Sequence, residues 1–234
     1  MTPDTAMILA GGLGTRLRSL YPDRPKALVP IKGRPFIEHM IDSLVAQGIR
    51  RIHLAAGYRA QQLVDWAETR EQRNLHITVS IEPEPLGTGG GVRFAAPHLP
   101  SDQPWFVFNG DSLLPRARLS DLVHAATRHP GVHATLAVVE MTQAGRYGTV
   151  DLDPDHFITG FHEKADREHG LVNGGIYLFT PALIASLPPD RPCSLEQEIF
   201  PGLATRHLLL ASPVPPPLLD MGTPQGITAM EASF

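Results

Sequence analysis

Basic runs, long apolar stretches and cysteine pairs are all missing from this 234-residue chain. Its 20 lysines and arginines face 24 acidic residues, a formal net charge of −4, so an extended nucleic-acid surface is not indicated and any anion must be bound locally. The single cysteine, Cys193, cannot close an internal disulfide, and it has no clear basic partner that would make it a thiol nucleophile. No stretch approaches the ~20 apolar residues of a membrane span. The start Met1-Thr2-Pro3-Asp4 lacks the charged and apolar regions of a signal peptide, so the expectation is a cytoplasmic protein without membrane or nucleic-acid partners. Eleven histidines are present, yet they form no His-Glu-x-x-His or Cys/His group, which leaves zinc catalysis little support.

What the chain does have begins with Met7-Ile8-Leu9-Ala10, a short apolar run that leads into Gly11-Gly12-Leu13-Gly14-Thr15-Arg16-Leu17 and then Pro25-Lys26. Three glycines leave backbone N–H groups free to converge on phosphate oxygens. Arg16 adds a flat two-pronged donor and Lys26 a point charge. A P-loop would need Gly-Lys-Ser/Thr where Gly14-Thr15-Arg16 stands, and a dinucleotide fingerprint would need glycine at Leu17, so neither fits.

Further along, Phe36-Ile37, Met40-Ile41 and Leu44-Val45 recur at helical spacing until Gly48. Residues 52–56 read as a buried strand, 60–69 as a helix and 77–81 as a strand ending in the turn-rich Glu82-Pro83-Glu84-Pro85. Trp105-Phe106-Val107-Phe108 is an apolar run ending at Asn109-Gly110-Asp111. Repeated strand, helix and strand units imply an α/β fold with a mostly parallel sheet covered on both faces. Ligands of such sheets sit beyond the carboxyl ends of the strands, where each of these motifs lies. After Leu136-Ala137-Val138-Val139 the pattern changes to hairpin-like pieces over 148–152 and 157–161, the expected sugar side.

Ala10-Gly11-Gly12-Leu13-Gly14-Thr15-Arg16-Leu17 with Pro25-Lys26 resembles the signature of the sugar-1-phosphate nucleotidylyltransferases. The likeness continues in order through Leu86-Gly87-Thr88-Gly89-Gly90, Asn109-Gly110-Asp111, Arg146-Tyr147-Gly148, Phe161-His162-Glu163-Lys164, Asn173-Gly174-Gly175-Ile176-Tyr177 and Asp220-Met221-Gly222-Thr223-Pro224. It implies a Rossmann-like, mostly parallel mixed sheet flanked by helices, the GT-A-like nucleotidyltransferase fold. One domain over 1–234 is expected, with a nucleotide-binding half at about 1–115 and a sugar-binding half at about 116–234. The implied activity is Mg²⁺-dependent: an NTP and a sugar 1-phosphate become an NDP-sugar and pyrophosphate by direct in-line attack.

The resemblance also distributes roles. It places Leu9, Ala10, Gly11, Gly12, Gly14 and Thr15 around the nucleotide, Arg16 on its β and γ phosphates and Lys26 near the reacting phosphate. Asp111 and Asp220 become the Mg²⁺ ligands, and Arg16, Lys26 and Asp111 the catalytic set. Lys164 would bind the sugar phosphate and Glu163 and Asn173 the sugar hydroxyls, in a pocket shaped by Asn109, Tyr147, Gly148 and Gly174. Backbone amides of Gly87 and Thr88 would reach base or ribose. Glu82 falls where the family reads the base edge; a carboxylate can accept from two adjacent N–H groups of guanine, whereas uracil offers one.

The resemblance at Leu86–Gly90 and Ser194-Leu195-Glu196 implies GTP with D-glycero-D-manno-heptose 1-phosphate as the preferred pair. The alternatives are GTP with mannose 1-phosphate, or UTP with an N-acetylated sugar such as N-acetylmuramate 1-phosphate. A different class is a non-catalytic nucleotide-sugar sensor, against which the presence of Arg16, Lys26, Asp111, Lys164 and Asp220 argues. Homo-oligomers of two or four chains are common among such proteins, and nothing in the sequence decides between them.

Overall fold

The computed structural model describes residues 2–12, 14, 17, 20–70, 74–142, 144–162, 168–189 and 191–233, with Arg146 as backbone alone. The first half alternates strands and helices: β1 (Thr5–Ala10), the small hairpin β2 (Pro30–Ile31) and β3 (Arg34–Pro35), α1 (Phe36–Ala46), β4 (Arg51–Ala56), α2 (Ala60–Glu68), β5 (His76–Ile81), α3 (Gly87–Ala95) and β6 (Trp105–Asn109). Then come β7 (Ser112–Leu113), α4 (Leu119–Arg128), β8 (Ala134–Thr142), β9 (Thr149–Leu152), β10 (Ile158–His162) and β11 (His169–Phe179). The chain closes through α5 (Pro181–Ser186), a π-helical turn at Leu195–Ile199, α6 (Phe200–Ala204), β12 (Leu209–Pro213), β13 (Leu219–Asp220) and α7 (Pro224–Ser233).

Nine strands form one mixed sheet, in the order β10-β9-β11-β6-β1-β4-β5, with β8 on the other side of β11 and β12 beyond it. The pairings β1–β4, β1–β6, β4–β5 and β8–β12 are parallel, whereas β11 runs against β6, β8 and β9, and β10 against β9. Only β10 and β11 therefore oppose the common direction, which matches the mostly parallel mixed sheet expected from the sequence. Side chains alternate across it: Ala6, Ile8 and Ala10 join the core beneath α1, α2, α4 and α7, while Met7 joins the core beneath α3, α5 and α6. Among the described residues no helix is long and apolar enough to cross a membrane.

One buried polar cluster in this sheet has a measurable consequence. His53 on β4 is 2 % exposed. Its Nδ1 lies 2.8 Å from Thr78 Oγ1 and its Nε2 2.9 Å from Ser80 Oγ, and its ring stacks on His98 at 4.9 Å. Burial, and secondarily the charge of His98, lowers its pKa to about 4. The unfolded chain thus binds a proton between pH 6.5 and 4 that the native protein refuses, so stability is full above pH 6.5 and drains as the pH falls toward 4. The loss amounts to about 3 kcal/mol at about 1.4 kcal/mol per pKa unit. Urea unfolding as a function of pH should show it, and the slope in this window should shrink in His53→Gln.

Candidate active site

Three strand ends meet at one rim of the sheet because their registers align. Leu9 of β1 pairs Ala55 of β4 and Asn109 of β6, and Ile81 of β5 pairs Ala56. The residues that follow must then converge: Gly110 N donates to Leu9 O at 3.0 Å and Glu82 N to Ala56 O at 2.8 Å. The cleft above this rim is lined by Leu9, Ala10, Gly11 and Gly12, by Glu82, Gly87 and Thr88, and by Lys26, Asn109 and Asp111. All ten are residues that the sequence singles out. Ala27, Pro85 and Gly110 complete the lining; Pro85 and Gly110 belong to motifs placed at this rim from the sequence, though none of the three was given a role.

Lys26 is held over the rim by a 3₁₀ turn, Lys26–Leu28, that runs into the β2–β3 hairpin. Ala27, Val29 and Ile31 are buried and anchor this segment to the core. Its Nζ donates to Asp111 Oδ2 at 2.6 Å, with the two side chains 16 % and 42 % exposed. A pair this wet contributes under about 1 kcal/mol, so an incoming anion or cation can exchange it cheaply.

Asp220 arrives from the other end of the chain. It pairs Ser112 across β13 and β7, the next residue donates Met221 N to Asp111 O at 2.9 Å, and its own Oδ1 accepts from Gly222 N at 2.7 Å. A Cβ placed on Gly222 would stand 3.4 Å from Lys26 Nζ. Lys26, Asp111 and the Asp220 turn thus form one polar cluster from positions far apart in sequence.

Glu82 enters the cleft between the Gly11 turn and α3. Its Oε1 is 3.1 Å from where a Cβ on Gly11 would be and 2.6 Å from one on Gly91, and its Oε2 accepts from Leu86 N at 3.3 Å. Burial pushes its pKa above the ordinary glutamate range, partly offset by the Leu86 hydrogen bond.

Within the glycine-rich segment 86–90, α3 starts at Gly87 itself. Gly89 N and Gly90 N both donate to Cys193 O, at 2.9 and 3.2 Å, and Cys193 N donates to Leu86 O at 2.9 Å. Gly87 has φ +73°, and a Cβ there would lie 2.5 Å from Cys193 O, so only glycine fits. Burial also raises the pKa of Cys193, in keeping with an inert thiol.

Behind the cleft the sheet splits. On one edge of β11, β6 pairs residues 176–179 and β9 pairs residues 171–172, and the register with β8 shifts between Asn173 and Tyr177. Asn173 sits at this break: its N–H donates to Gly148 O at 2.9 Å, its Nδ2 to Tyr177 Oη at 2.8 Å, and its Oδ1 accepts from Gly175 N at 3.1 Å. Tyr177 Oη in turn donates to Asn109 Oδ1 at 3.4 Å.

The glycines here make room for the protein's own packing. A Cβ on Gly174 would meet Leu114 Cδ1 at 2.6 Å, and one on Gly175 would meet Ser112 Oγ at 2.8 Å. Tyr147 packs against the core and Gly148 against Phe161, beside this break. Gly14, with φ +57°, lies with Lys26 and Tyr58 in a small concavity next to the main cleft. Thr15, Arg16, Glu163 and Lys164 lie outside the described residues.

Sequence reasoning gave no role to Tyr177, yet it is the joint between Asn109 and Asn173. A tyrosine inside the otherwise apolar Ile176–Phe179 run was the available signal. Burial, and secondarily the Glu196 charge, raises its pKa well above the usual value, so it acts as a neutral hydroxyl.

Asp111 and Asp220 would offer a divalent ion two carboxylates; among the described residues no group of three or more His, Cys, Asp or Glu could hold a metal. Two carboxylates are a donor set of the kind that Mg²⁺ takes, its shell being completed by substrate phosphates and water.

The family model described as nucleotidyl transferase matches residues 5–232. D-glycero-alpha-D-manno-heptose 1-phosphate guanylyltransferase of Campylobacter jejuni is 33 % identical over 223 residues, covering 94 % of this chain and 95 % of that protein. Mannose-1-phosphate guanyltransferase of Schizosaccharomyces pombe is 35 % identical over 225 residues, and there the match covers 94 % of this chain but only 61 % of the other. Among solved structures, HddC from Yersinia pseudotuberculosis superposes with a TM-score of 0.86 at 29 % identity, over 99 % of this chain and 100 % of that one. HddC has also been solved in complex with GMP-PN.

Proposed function

The chain belongs to the nucleotidyl transferase family, and from that premise we propose that it joins GTP to D-glycero-D-manno-heptose 1-phosphate, releasing pyrophosphate and a GDP-heptose. The observation that carries this reading is a cleft lined by Lys26, Asp111 and Glu82, with the Asp220 turn beside Lys26. Lys26 has the charge to bind phosphates, and Glu82 has the acceptors to bind a base with adjacent donors.

In the proposed reaction an oxygen of the sugar phosphate attacks the α-phosphorus of GTP. The bond from that phosphorus to the bridging oxygen breaks, and pyrophosphate leaves with the electron pair. The protein supplies position and charge. Lys26, placed beside Asp111, would reduce the repulsion between two anionic reactants. Asp111 and Asp220 would hold Mg²⁺, which supplies positive charge to phosphate oxygens when bound. Family likeness assigns Arg16 to the β and γ phosphates, Lys164 to the sugar phosphate and Glu163 to the sugar hydroxyls. Asn173, Asn109 and Gly148 surround the break in the sheet where a sugar would lie.

Guanine is favoured by Glu82 and by the relatives that carry guanylyltransferase names. The heptose reading is supported by the 33 % identity to the Campylobacter guanylyltransferase. The 35 % identity to the yeast protein keeps mannose 1-phosphate as the second reading. The test is pyrophosphate release over a grid of four NTPs and several sugar 1-phosphates with Mg²⁺. The expected maximum is GTP with the heptose phosphate. A maximum with mannose 1-phosphate selects the second reading, and no release with any pair, alongside tight binding of an NDP-sugar, makes the protein a sensor.

A further inference from the structure

We propose that Tyr177 is a positioning residue that turns the amide of Asn109 so that its Nδ2 meets the sugar 1-phosphate, and that Asn173 acts through Tyr177 rather than on the sugar itself. This deepens the transferase reading above and rests on it. The direction of every hydrogen bond in the group follows from one backbone donor. Gly175 N can only donate, so the atom of the Asn173 amide 3.1 Å from it is the oxygen. The other arm of that amide is then nitrogen, and it donates to Tyr177 Oη at 2.8 Å. A phenol oxygen that accepts there sends its own proton elsewhere, to Asn109 Oδ1 at 3.4 Å. Asn109 is left with Nδ2 as its outer end, and among the described residues no hydrogen bond engages that nitrogen.

The surroundings give this free donor its direction. A Cβ on Gly175 would stand 3.0 Å from Asn109 Nδ2, so a glycine there keeps the amide uncovered. Among the described residues Asn109 lines the cleft, whereas Asn173 does not. The acceptor of Asn173 and one of its two amide hydrogens are spent inside the protein. Position in the sheet then puts the free donor on the sugar side. In the order β11-β6-β1-β4-β5, Asn109 ends β6 next to β11 and Glu82 follows β5, so β1 and β4 stand between Asn109 and the carboxylate that would read the base. Loss of the Tyr177 hydroxyl should therefore loosen the sugar end of the site and spare the base end.

Steady-state kinetics of the full chain test this with GTP and D-glycero-D-manno-heptose 1-phosphate, or with mannose 1-phosphate where that is the better substrate. Tyr177→Phe keeps the ring and removes the hydroxyl. It and Asn109→Ala are each expected to raise KM for the sugar 1-phosphate about tenfold, with KM for GTP changed by less than about threefold. Asn109→Asp keeps an oxygen for Tyr177 but puts a negative acceptor where the donor stood, so it should do worse than Asn109→Ala. In the Asn109→Ala background neither Tyr177→Phe nor Asn173→Ala should raise the sugar KM further, because both act through the missing amide. A merely structural role for Tyr177 would lower Tm without this split between the two KM values, and the Asn109 variants keep the proposal testable should Tyr177→Phe fail to fold. It is overturned if, with an active wild type, Tyr177→Phe leaves the sugar KM unchanged or raises both KM values equally, or if Asn109→Asp matches the wild type. It is overturned equally if Asn173→Ala adds a further loss of about tenfold in the Asn109→Ala background, which would make Asn173 the sugar contact. A wild type with no turnover on any pair is a distinct result that removes the transferase reading, and this one with it.

Discussion

Asp111→Asn should lower kcat about a thousandfold or more while leaving the fold intact. Asparagine keeps the shape and one acceptor oxygen but loses the charge that would hold a divalent ion. Charge stabilisation by such an ion is worth several kcal/mol at the transition state, and each ~1.4 kcal/mol is a factor of ten. Stability should fall by no more than about 1 kcal/mol, since the Asp111 side chain is 42 % exposed.

Asp220→Asn should follow the same pattern, because an amide oxygen can still accept from Gly222 N in the turn. The double variant should lose little more than either single one, as expected of two ligands to one ion. Pyrophosphate release, a thermal melt and calorimetric titration of Mg²⁺ in the presence of GTP check these points together. If Asp111→Asn retains a tenth or more of the wild-type rate, the carboxylate is not a metal ligand and serves only to hold Lys26.

Much of the nucleotide half could be read in advance because its signals are local. The run Ala6–Ala10 followed by glycines, the 3.6-residue spacing in α1 and the apolar Trp105–Phe108 run each specify an element without reference to the rest of the chain. Parallel neighbours with aligned registers then bring Gly11, Glu82 and Asp111 together. What could not be read is long-range. Gly87-Thr88-Gly89-Gly90-Gly91 has poor helical propensity, yet it starts α3 because a carbonyl one hundred residues later accepts from its first turn. The break in β11 likewise depends on which strand ends beside it, and Asn173 gives no local sign of that. Gly174 and Gly175 face Leu114 and Ser112, neighbours that a glycine pair does not announce, since it says that something approaches closely without saying what.

The second large effect concerns base choice, and it turns on whether Glu82 reads the base or only braces the loop. Glu82→Gln is expected to lower kcat/KM for GTP roughly ten- to hundredfold, the worth of about 1–3 kcal/mol for a bidentate contact to a base edge. An amide can offer one oxygen to guanine but must present an N–H to the second donor, where a carboxylate offers two acceptors. ITP lacks the 2-amino group and has one fewer donor to lose, so its kcat/KM should fall less and the GTP/ITP ratio should shrink. The acid limb adds an independent sign. Because burial raises the pKa of Glu82, the carboxylate protonates at a higher pH than an ordinary glutamate, and kcat/KM for GTP should decline as the pH falls through that raised value. Glu82→Gln, having no proton to gain, should lose that limb. The competing role is visible in the structure, where Glu82 Oε2 accepts from Leu86 N at 3.3 Å. Glutamine can preserve that bond, so a bracing role predicts normal GTP/ITP discrimination in the variant, and a base-reading role predicts its collapse.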